Sequence, residues 1–180
     1  MRLKENELAP DFVLIASDGT QVTRDEGRGQ TTLLSFLRFV MCPSCNLSVR
    51  RLMTLQPSLE ARGVRLVVLF ESSSENLSQA TRTWGTLPFL AVADPAAKLY
   101  DAYGVEKSLA RTLLGSLNPV PVVQSFRAGH PRAGIDGSPT RMPATFVIGP
   151  NLRIAQAHYA ASATDTPEAL LTTLTGEHHT

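Results

Sequence analysis

Cysteine is almost absent from this chain: two residues in 180, at positions 42 and 45. That excludes a scaffold stapled by several disulfides, and a chain of this length can bury a sizeable core without them. An excess of charge of one sign is also missing. Seventeen Lys and Arg stand against sixteen Asp and Glu, a net +1, so nothing points to a nucleic acid or an anionic membrane as the main partner. Long hydrophobic runs are lacking too. Blocks such as Leu66-Val67-Val68-Leu69-Phe70 have the length of buried strands and fall far short of the ~18 residues of a membrane span. The first seven residues, Met1 to Glu7, carry no apolar stretch that could form the core of a signal peptide. The expectation is a soluble cytoplasmic protein. Where thiols are kept reduced, two cysteines three positions apart read as redox chemistry or as half of a metal site.

What is present is an alternation of strands and helices. Asp11 to Ile15 reads as a strand, Asp18-Gly19 as a hairpin turn and Gln21-Val22-Thr23 as the return. Thr32 to Leu37 is the continuous apolar run of a central strand covered on both faces. From Cys45 the spacing becomes helical, with Val49, Leu52, Leu55 and Leu59 on one face. Pro57 is expected to kink this helix or end it early, and Gly63 to stop it. Val64 to Phe70 is a second buried strand, Ser74 caps a helix to about Trp84, and Phe89 to Ala93 is a short strand. Lys98 to Tyr103 and Leu109 to Leu117 are shorter helices. Ala144 to Ile148 and Ile154 to Tyr159 are strands joined by Gly149-Pro150-Asn151, and Pro167 to Leu174 is a closing helix. The pattern predicts one α/β domain over 1–180, its mixed central sheet flanked by helices, parallel first and antiparallel last.

Gly104 to Arg141 does not fit a minimal version of that plan. It holds Pro119, Pro121, Pro131 and Pro139 and the basic Arg111, Arg127 and Arg132. It reads as inserted helices and loop ahead of the late strand pair, or as a cap that shapes access to the site.

Cys42-Pro43-Ser44-Cys45 lies where the central strand gives way to a helix. Unpaired backbone N–H groups and the positive end of the helix dipole stabilise an anion there, lowering the Cys42 pKa. Pro43 suits the first helical turn, where its missing N–H has no partner to lose. Cys42 is the predicted nucleophile and Cys45, one turn inside and less exposed, the resolving thiol. Two small buried apolar residues, or half of a zinc or copper site, are the competing readings. Zinc would need two further ligands, and His130, His158, His178 and His179 show no paired spacing. No metal or cofactor is expected. Late in the chain, Arg141-Met142-Pro143-Ala144-Thr145-Phe146 sets a proline just before a strand. In the thioredoxin fold a cis-proline at this point faces the Cys-x-x-Cys pair and lets the preceding backbone pair with an extended substrate segment. An ordinary trans-proline opening a strand is the alternative.

Ala9-Pro10-Asp11-Phe12, Asp18-Gly19, Leu34 to Arg38 running into Cys42-Pro43, Ala93-Asp94-Pro95, Tyr103-Gly104-Val105 and Pro143-Ala144-Thr145-Phe146 follow one another in a recognisable order. In this order the chain resembles the AhpC/TSA peroxiredoxin-like branch of the thioredoxin superfamily, from about Leu8 to Leu174. The resemblance implies a thioredoxin-like fold with an N-terminal hairpin extension, and antioxidant or thiol-dependent reductase activity. It also exposes departures. Peroxidatic members carry Thr or Ser three residues before the reactive Cys, where this chain has Phe39. They carry Arg three residues before the Phe of the late strand, where this chain has Pro143. Arg38 and Arg141 are nearby in sequence and are candidates to substitute, though neither stands at the expected place. They join Phe39, Met142 and Pro143 as candidate supporting residues of the site.

Phe39 and Pro143 therefore favour a thiol-disulfide oxidoreductase in which Cys42 attacks, Cys45 resolves, and Pro143 with Met142 binds substrate backbone. A peroxiredoxin-type thiol peroxidase acting on hydrogen peroxide or organic hydroperoxides is the alternative. A redox sensor or metallochaperone built on the same pair is the third. Both enzymatic readings imply an external thiol reductant of the thioredoxin or glutathione type. A homodimer through the sheet edge or the 104–141 segment is compatible with the sequence.

Overall fold

The hairpin comes first: β1 (Val13–Ile15) pairs antiparallel with β2 (Gln21–Thr23), Leu14 opposite Val22. Asp18 and Gly19 make its turn, Asp18 Oδ1 accepting the Thr20 N–H at 2.9 Å while Gly19 takes φ +88°, a region that favours glycine. A single 3-10 turn at Asp25–Gly27 leads into β3 (Thr31–Phe36). Then follow α1 (Pro43–Ala61), β4 (Val64–Phe70), α2 (Ser74–Trp84), β5 (Leu90–Ala93), α3 (Lys98–Ala102), α4 (Leu109–Ser116), α5 (Val120–Arg127), β6 (Ala144–Ile148), β7 (Ile154–Tyr159) and α6 (Glu168–Thr175). These come from a computed structural model that describes residues 1–116, 120–127, 129, 134, 136–162, 165 and 167–175.

The main sheet has the order β5-β4-β3-β6-β7. The β3–β4 and β4–β5 pairs are parallel, and the β3–β6 and β6–β7 pairs antiparallel. The mixed sheet predicted from the sequence is therefore present, with β3 at its centre. Strand alternation divides the core in two. Leu33, Leu66, Val68 and Phe70 point to the face covered by α1, α2 and α6, where Leu52, Leu59, Leu77 and Leu171 meet them. Leu34, Phe36, Val67 and Leu69 point the other way, toward Val22, Leu99, Tyr100 and Tyr103.

Three local expectations are corrected. The helix after the cysteine pair does not stop early: α1 runs through Pro57 to Ala61. Pro57 forfeits one backbone bond, but Leu52, Leu55 and Leu59 are buried around it, and tertiary packing holds the last turn. Ser73, not Ser74, caps α2, its hydroxyl accepting from the Asn76 N–H at 3.2 Å. The third, a cis bond before Pro143, is taken up with the site.

The 104–141 segment contributes α4 and α5, with α5 packed on α1. Its two ends are laced together. Ser108 N–H donates to Thr140 O at 2.8 Å and Met142 N–H to Glu106 O at 3.0 Å. Leu117, Pro119, Pro131, Arg132, His130, His178 and His179 lie outside the described residues. No described helix is long and apolar enough to cross a membrane.

Phe36 carries the β3 end of the second core, its ring centroid 5.0 Å from Tyr100, 5.1 Å from Tyr103 and 5.6 Å from Phe146. Phe36→Ala should therefore cost ~3–5 kcal/mol. Urea unfolding checks it, and a loss under ~1 kcal/mol would mean the aromatic cluster collapses around the cavity at little cost.

Candidate active site

β3 ends at Phe36, and the chain crosses from Leu37 to Met41 before α1 begins. Cys42 is the N-cap of α1 in an extended conformation (φ −71°, ψ 121°), with Pro43 in the first helical position, as the sequence predicts. Cys42 N–H donates to Phe39 O at 3.0 Å and Cys42 O accepts from Asn46 N–H at 3.0 Å, so the turn is closed on both sides. Both thiols are free. Cys42 is 1% exposed and Cys45 2%. The expected difference in exposure between them is therefore absent: the outer cysteine is as buried as the inner one. Phe39, 8% exposed, and the loop at Gly137 lie over this crossing, and a Cβ at Gly137 would collide with Phe39 Cβ and Glu71 O.

The two sulfurs are driven in opposite directions. The Cys45 thiol donates to Cys42, and this, with the Arg38 guanidinium and the Ser44 hydroxyl, brings the Cys42 pKa from an ordinary 9.0 to about 6 against the opposing effect of burial. Ser44 Oγ lies 3.1 Å from Cys42 Sγ. Burial, the hydrogen bond it gives and the neighbouring Cys42 charge push Cys45 well above its ordinary value, although the Arg38 N–H points at its sulfur at 3.2 Å. At neutral pH the arrangement is one thiolate and one thiol, side by side in a single helical turn.

Arg38 is 8% exposed; its guanidinium donates to Pro139 O and lies 5.5 Å from the Phe39 ring. It is the cation of the site. Arg141 is elsewhere, bound through Nε to Glu71 at 2.9 Å and through an Nη to Val105 O at 2.7 Å and Asp101 at 3.3 Å, with Tyr100 beneath it. The sequence departures at Phe39 and Pro143 thus remove less than they suggest. A hydroxyl and a guanidinium do serve the thiolate, but from Ser44 and Arg38.

Pro143 corrects another expectation. The Met142–Pro143 bond is trans, since no described peptide is cis. Met142, 2% exposed, gives its N–H to Glu106 O, and Pro143 O accepts the Ala160 N–H at 3.1 Å as β6 and β7 pair. Met142 N–H is thus engaged inside the fold, and a trans proline opens the strand. A small cavity of about 30 Å³ beside Pro143, lined also by Leu37, Ser48 and His158, touches neither cysteine. Among the described residues, no group of three or more His, Cys, Asp or Glu is placed to hold a metal ion.

Sequence reasoning passed over the polar groups behind the pair. Asp136 accepts from Ser72 Oγ at 2.7 Å, Ser73 N–H at 2.6 Å and Asn76 Nδ2 at 2.7 Å, and Ser72 Oγ accepts the Val40 N–H at 3.1 Å. Asn46 and Trp84 form a second set. Their long-range links, Val40 to Ser72, Asn46 to Trp84 and Ser72 to Asp136, span 32 to 64 residues, which no local spacing announces.

Comparison with known proteins decides the lineage. The AhpC/TSA family model matches residues 6–157. The chain belongs to the AhpC/TSA family. Peroxiredoxin Bcp of Escherichia coli K12 is 30% identical over 108 residues, 59% of this chain and 69% of that protein. The structure of PrxQ from Xylella fastidiosa superposes with a TM-score of 0.72 at 17% identity, over 98% of each chain. A Chlorobium tepidum protein described as the thiol:disulfide interchange protein DsbE gives 0.65 at 18% identity, over 95% of this chain and 96% of that one. The two structural likenesses show the thioredoxin-like fold and do not choose between peroxide and disulfide chemistry. As an AhpC/TSA member with the Cys42–Cys45 pair, the protein is a thiol-dependent oxidoreductase.

The electrostatics predict two measurements. Arg38→Met should raise the midpoint at which the Cys42 thiolate absorbs in the ultraviolet; an unmoved midpoint would remove Arg38 from the site's electrostatics. Because folding depresses the Cys42 pKa, its stabilisation is full above the unfolded value and lost as pH falls through about 6. The stability of the reduced protein relative to Cys42→Ser should therefore rise between pH 6 and 9, by at most ~1.4 kcal/mol per unit. Urea unfolding under reductant reads this, and a flat difference would contradict a depressed pKa.

Proposed function

We propose that this chain is a two-cysteine thiol peroxidase, with Cys42 the peroxide-reacting residue and Cys45 the resolving one. The observation that carries this reading is that Cys42, 1% exposed at the N-cap of α1, has Ser44 Oγ 3.1 Å from its sulfur and Cys45 and Arg38 drawing its pKa down. A protein disulfide must bring a sulfur into line with the attacking thiolate, and a thiolate 1% exposed leaves little room for one. Two oxygen atoms need far less room. Support also comes from the family and from the peroxiredoxin name of the E. coli relative. The disulfide-exchange reading, which the sequence favours, drew on Phe39 and Pro143 in place of activating groups and on a cis-Pro143 to bind backbone. The Met142–Pro143 bond is trans, and Ser44 and Arg38 stand near Cys42.

Cys42 thiolate attacks one oxygen of the hydroperoxide, the O–O bond breaks, and the departing alkoxide or hydroxide takes up a proton to leave as alcohol or water. Sulfur is oxidised to sulfenic acid as the peroxide is reduced. Arg38 and Ser44 face the negative charge as it moves from sulfur to the leaving oxygen. Cys45 then attacks the sulfenic sulfur; its proton and the sulfenic hydroxyl leave as water, and a Cys42–Cys45 disulfide remains. Two thiol equivalents from an external reductant of the thioredoxin or glutathione type restore the dithiol. The reading places the protein in the cytoplasm, as one domain over 1–180, and requires no metal, cofactor or homodimer.

Stopped-flow thiol loss with hydrogen peroxide tests it. The pre-reduced protein should react at least ~100-fold faster than a free thiolate of matched pKa. Cys42→Ser should abolish the fast phase, and Cys45→Ser should keep it but halt at sulfenic acid and climb to sulfinic acid with excess peroxide. A wild-type rate no better than the free thiolate would sink the proposal and return disulfide exchange to first place.

A further inference from the structure

Asn46 sits in the first turn of α1, is 1% exposed, and has a complete set of partners. Its Nδ2 donates to Val40 O at 2.8 Å and to Cys42 O at 3.0 Å, and its Oδ1 accepts the Trp84 indole N–H at 2.8 Å. These partners fix the amide's orientation: turned over, its oxygen would face two carbonyl oxygens. Trp84, the only tryptophan, ends α2, is 6% exposed and stacks on Phe70 with centroids 5.5 Å apart and planes 28° from parallel. A buried amide spanning both sides of the reactive residue, itself held by a ring from another helix, exceeds what capping α1 requires.

We propose that Asn46 and Trp84 are a positioning pair for the Cys42 thiolate, Trp84 orienting the Asn46 amide and Asn46 clamping the carbonyls of Val40 and Cys42 so that the sulfur stays aligned with its donors. The rate consequence rests on the peroxidase reading; the positional one does not. Neither side chain touches the reacting atoms. They act through the backbone at 40–42, whose other side is tied by Cys42 N–H to Phe39 O and Val40 N–H to Ser72 Oγ. Without the amide, two carbonyl oxygens are left buried without this donor and the turn relaxes. Sγ then loses alignment with the Cys45 thiol and the Ser44 hydroxyl.

The test uses Asn46→Ala, Trp84→Phe and the double variant, each shown to be folded by circular dichroism. Trp84→Phe keeps an aromatic ring over Phe70 and deletes only the N–H donor. Asn46→Ala should slow peroxide oxidation of Cys42 by ~10- to ~100-fold. It should also raise the pH midpoint of thiolate absorbance. Trp84→Phe should move both in the same direction and by less, and the double variant should be no worse than Asn46→Ala, because the indole acts only through the amide. Were Asn46→Ala unfolded, Trp84→Phe alone decides. Wild-type midpoint and rate in the folded single variants, or additive losses in the double, would overturn the pairing. A slow wild-type rate would count against the peroxidase reading, while the thiolate midpoints would still judge the pairing.

Discussion

A thiolate almost wholly out of water is the constraint on which the rest of this structure depends. An unpaired buried ion costs several kcal/mol, so a sulfur that ionises near neutrality must be met on every side by donors or positive potential. One crossing supplies them all. The end of β3 brings Arg38, the start of α1 brings Ser44, Cys45 and the positive end of the helix dipole. That crossing is pinned from below by the Tyr100 hydroxyl, which donates to Leu37 O at 2.6 Å, and from the side by Leu37 N–H on Leu69 O at 2.9 Å. The aromatic cluster around Phe36 thus serves the chemistry as well as stability, because it fixes the strand from which the site hangs.

Arg38 shows what this arrangement costs. Among the described residues its buried Nε has no hydrogen-bond partner, while the guanidinium gives a bond to Pro139 O. An orphaned donor of this kind is unfavourable in a purely structural role. Beside an anionic sulfur it is explained: the cation is placed for its charge, and its hydrogen bonds are secondary. The loop that takes one of those bonds is itself held. Ser73, Ser72 and Asn76 donate to Asp136 and keep it ionised against the opposing effect of its partial burial. The 136–140 stretch is in this way a roof tied at Asp136 to the start of α2 and at Pro139 to Arg38.

Much of this was legible in the sequence wherever the deciding forces are local. The CPSC pair at a strand-to-helix junction, the Asp18-Gly19 turn and the two-sided apolar runs at 32–37 and 64–70 all obey short-range rules. A mixed sheet, parallel first and antiparallel last, followed from them; its strand order did not. Pro57 misled because propensity was set against three buried leucines, and packing won. Pro143 misled because the sequence does not reveal that Met142 N–H and Pro143 O are engaged by Glu106 and Ala160. Phe39 and Pro143 suggested a site stripped of its activating groups. The structure supplies those groups from Ser44, two residues past the thiolate, and Arg38, four before it. Matching motifs position by position misses such a substitution, because it preserves the charge and moves the residue.

The opposite drift of the two cysteines is the last piece, and it follows from a single proton. The hydrogen bond that Cys45 gives to Cys42 lowers one pKa and raises the other, so the same contact that favours the Cys42 thiolate keeps the Cys45 thiol neutral. Two thiolates side by side in a buried turn would repel each other; a thiolate and a thiol attract. In the peroxidase cycle proposed above, once Cys42 is a sulfenic acid its negative charge is gone, and with it one reason for Cys45 to hold its proton. Cys45 is then freer to ionise at the step in which it must attack. On that proposal the order of reaction is built into the pair: Cys45 is held in reserve by the charge on Cys42 and released when that charge is spent.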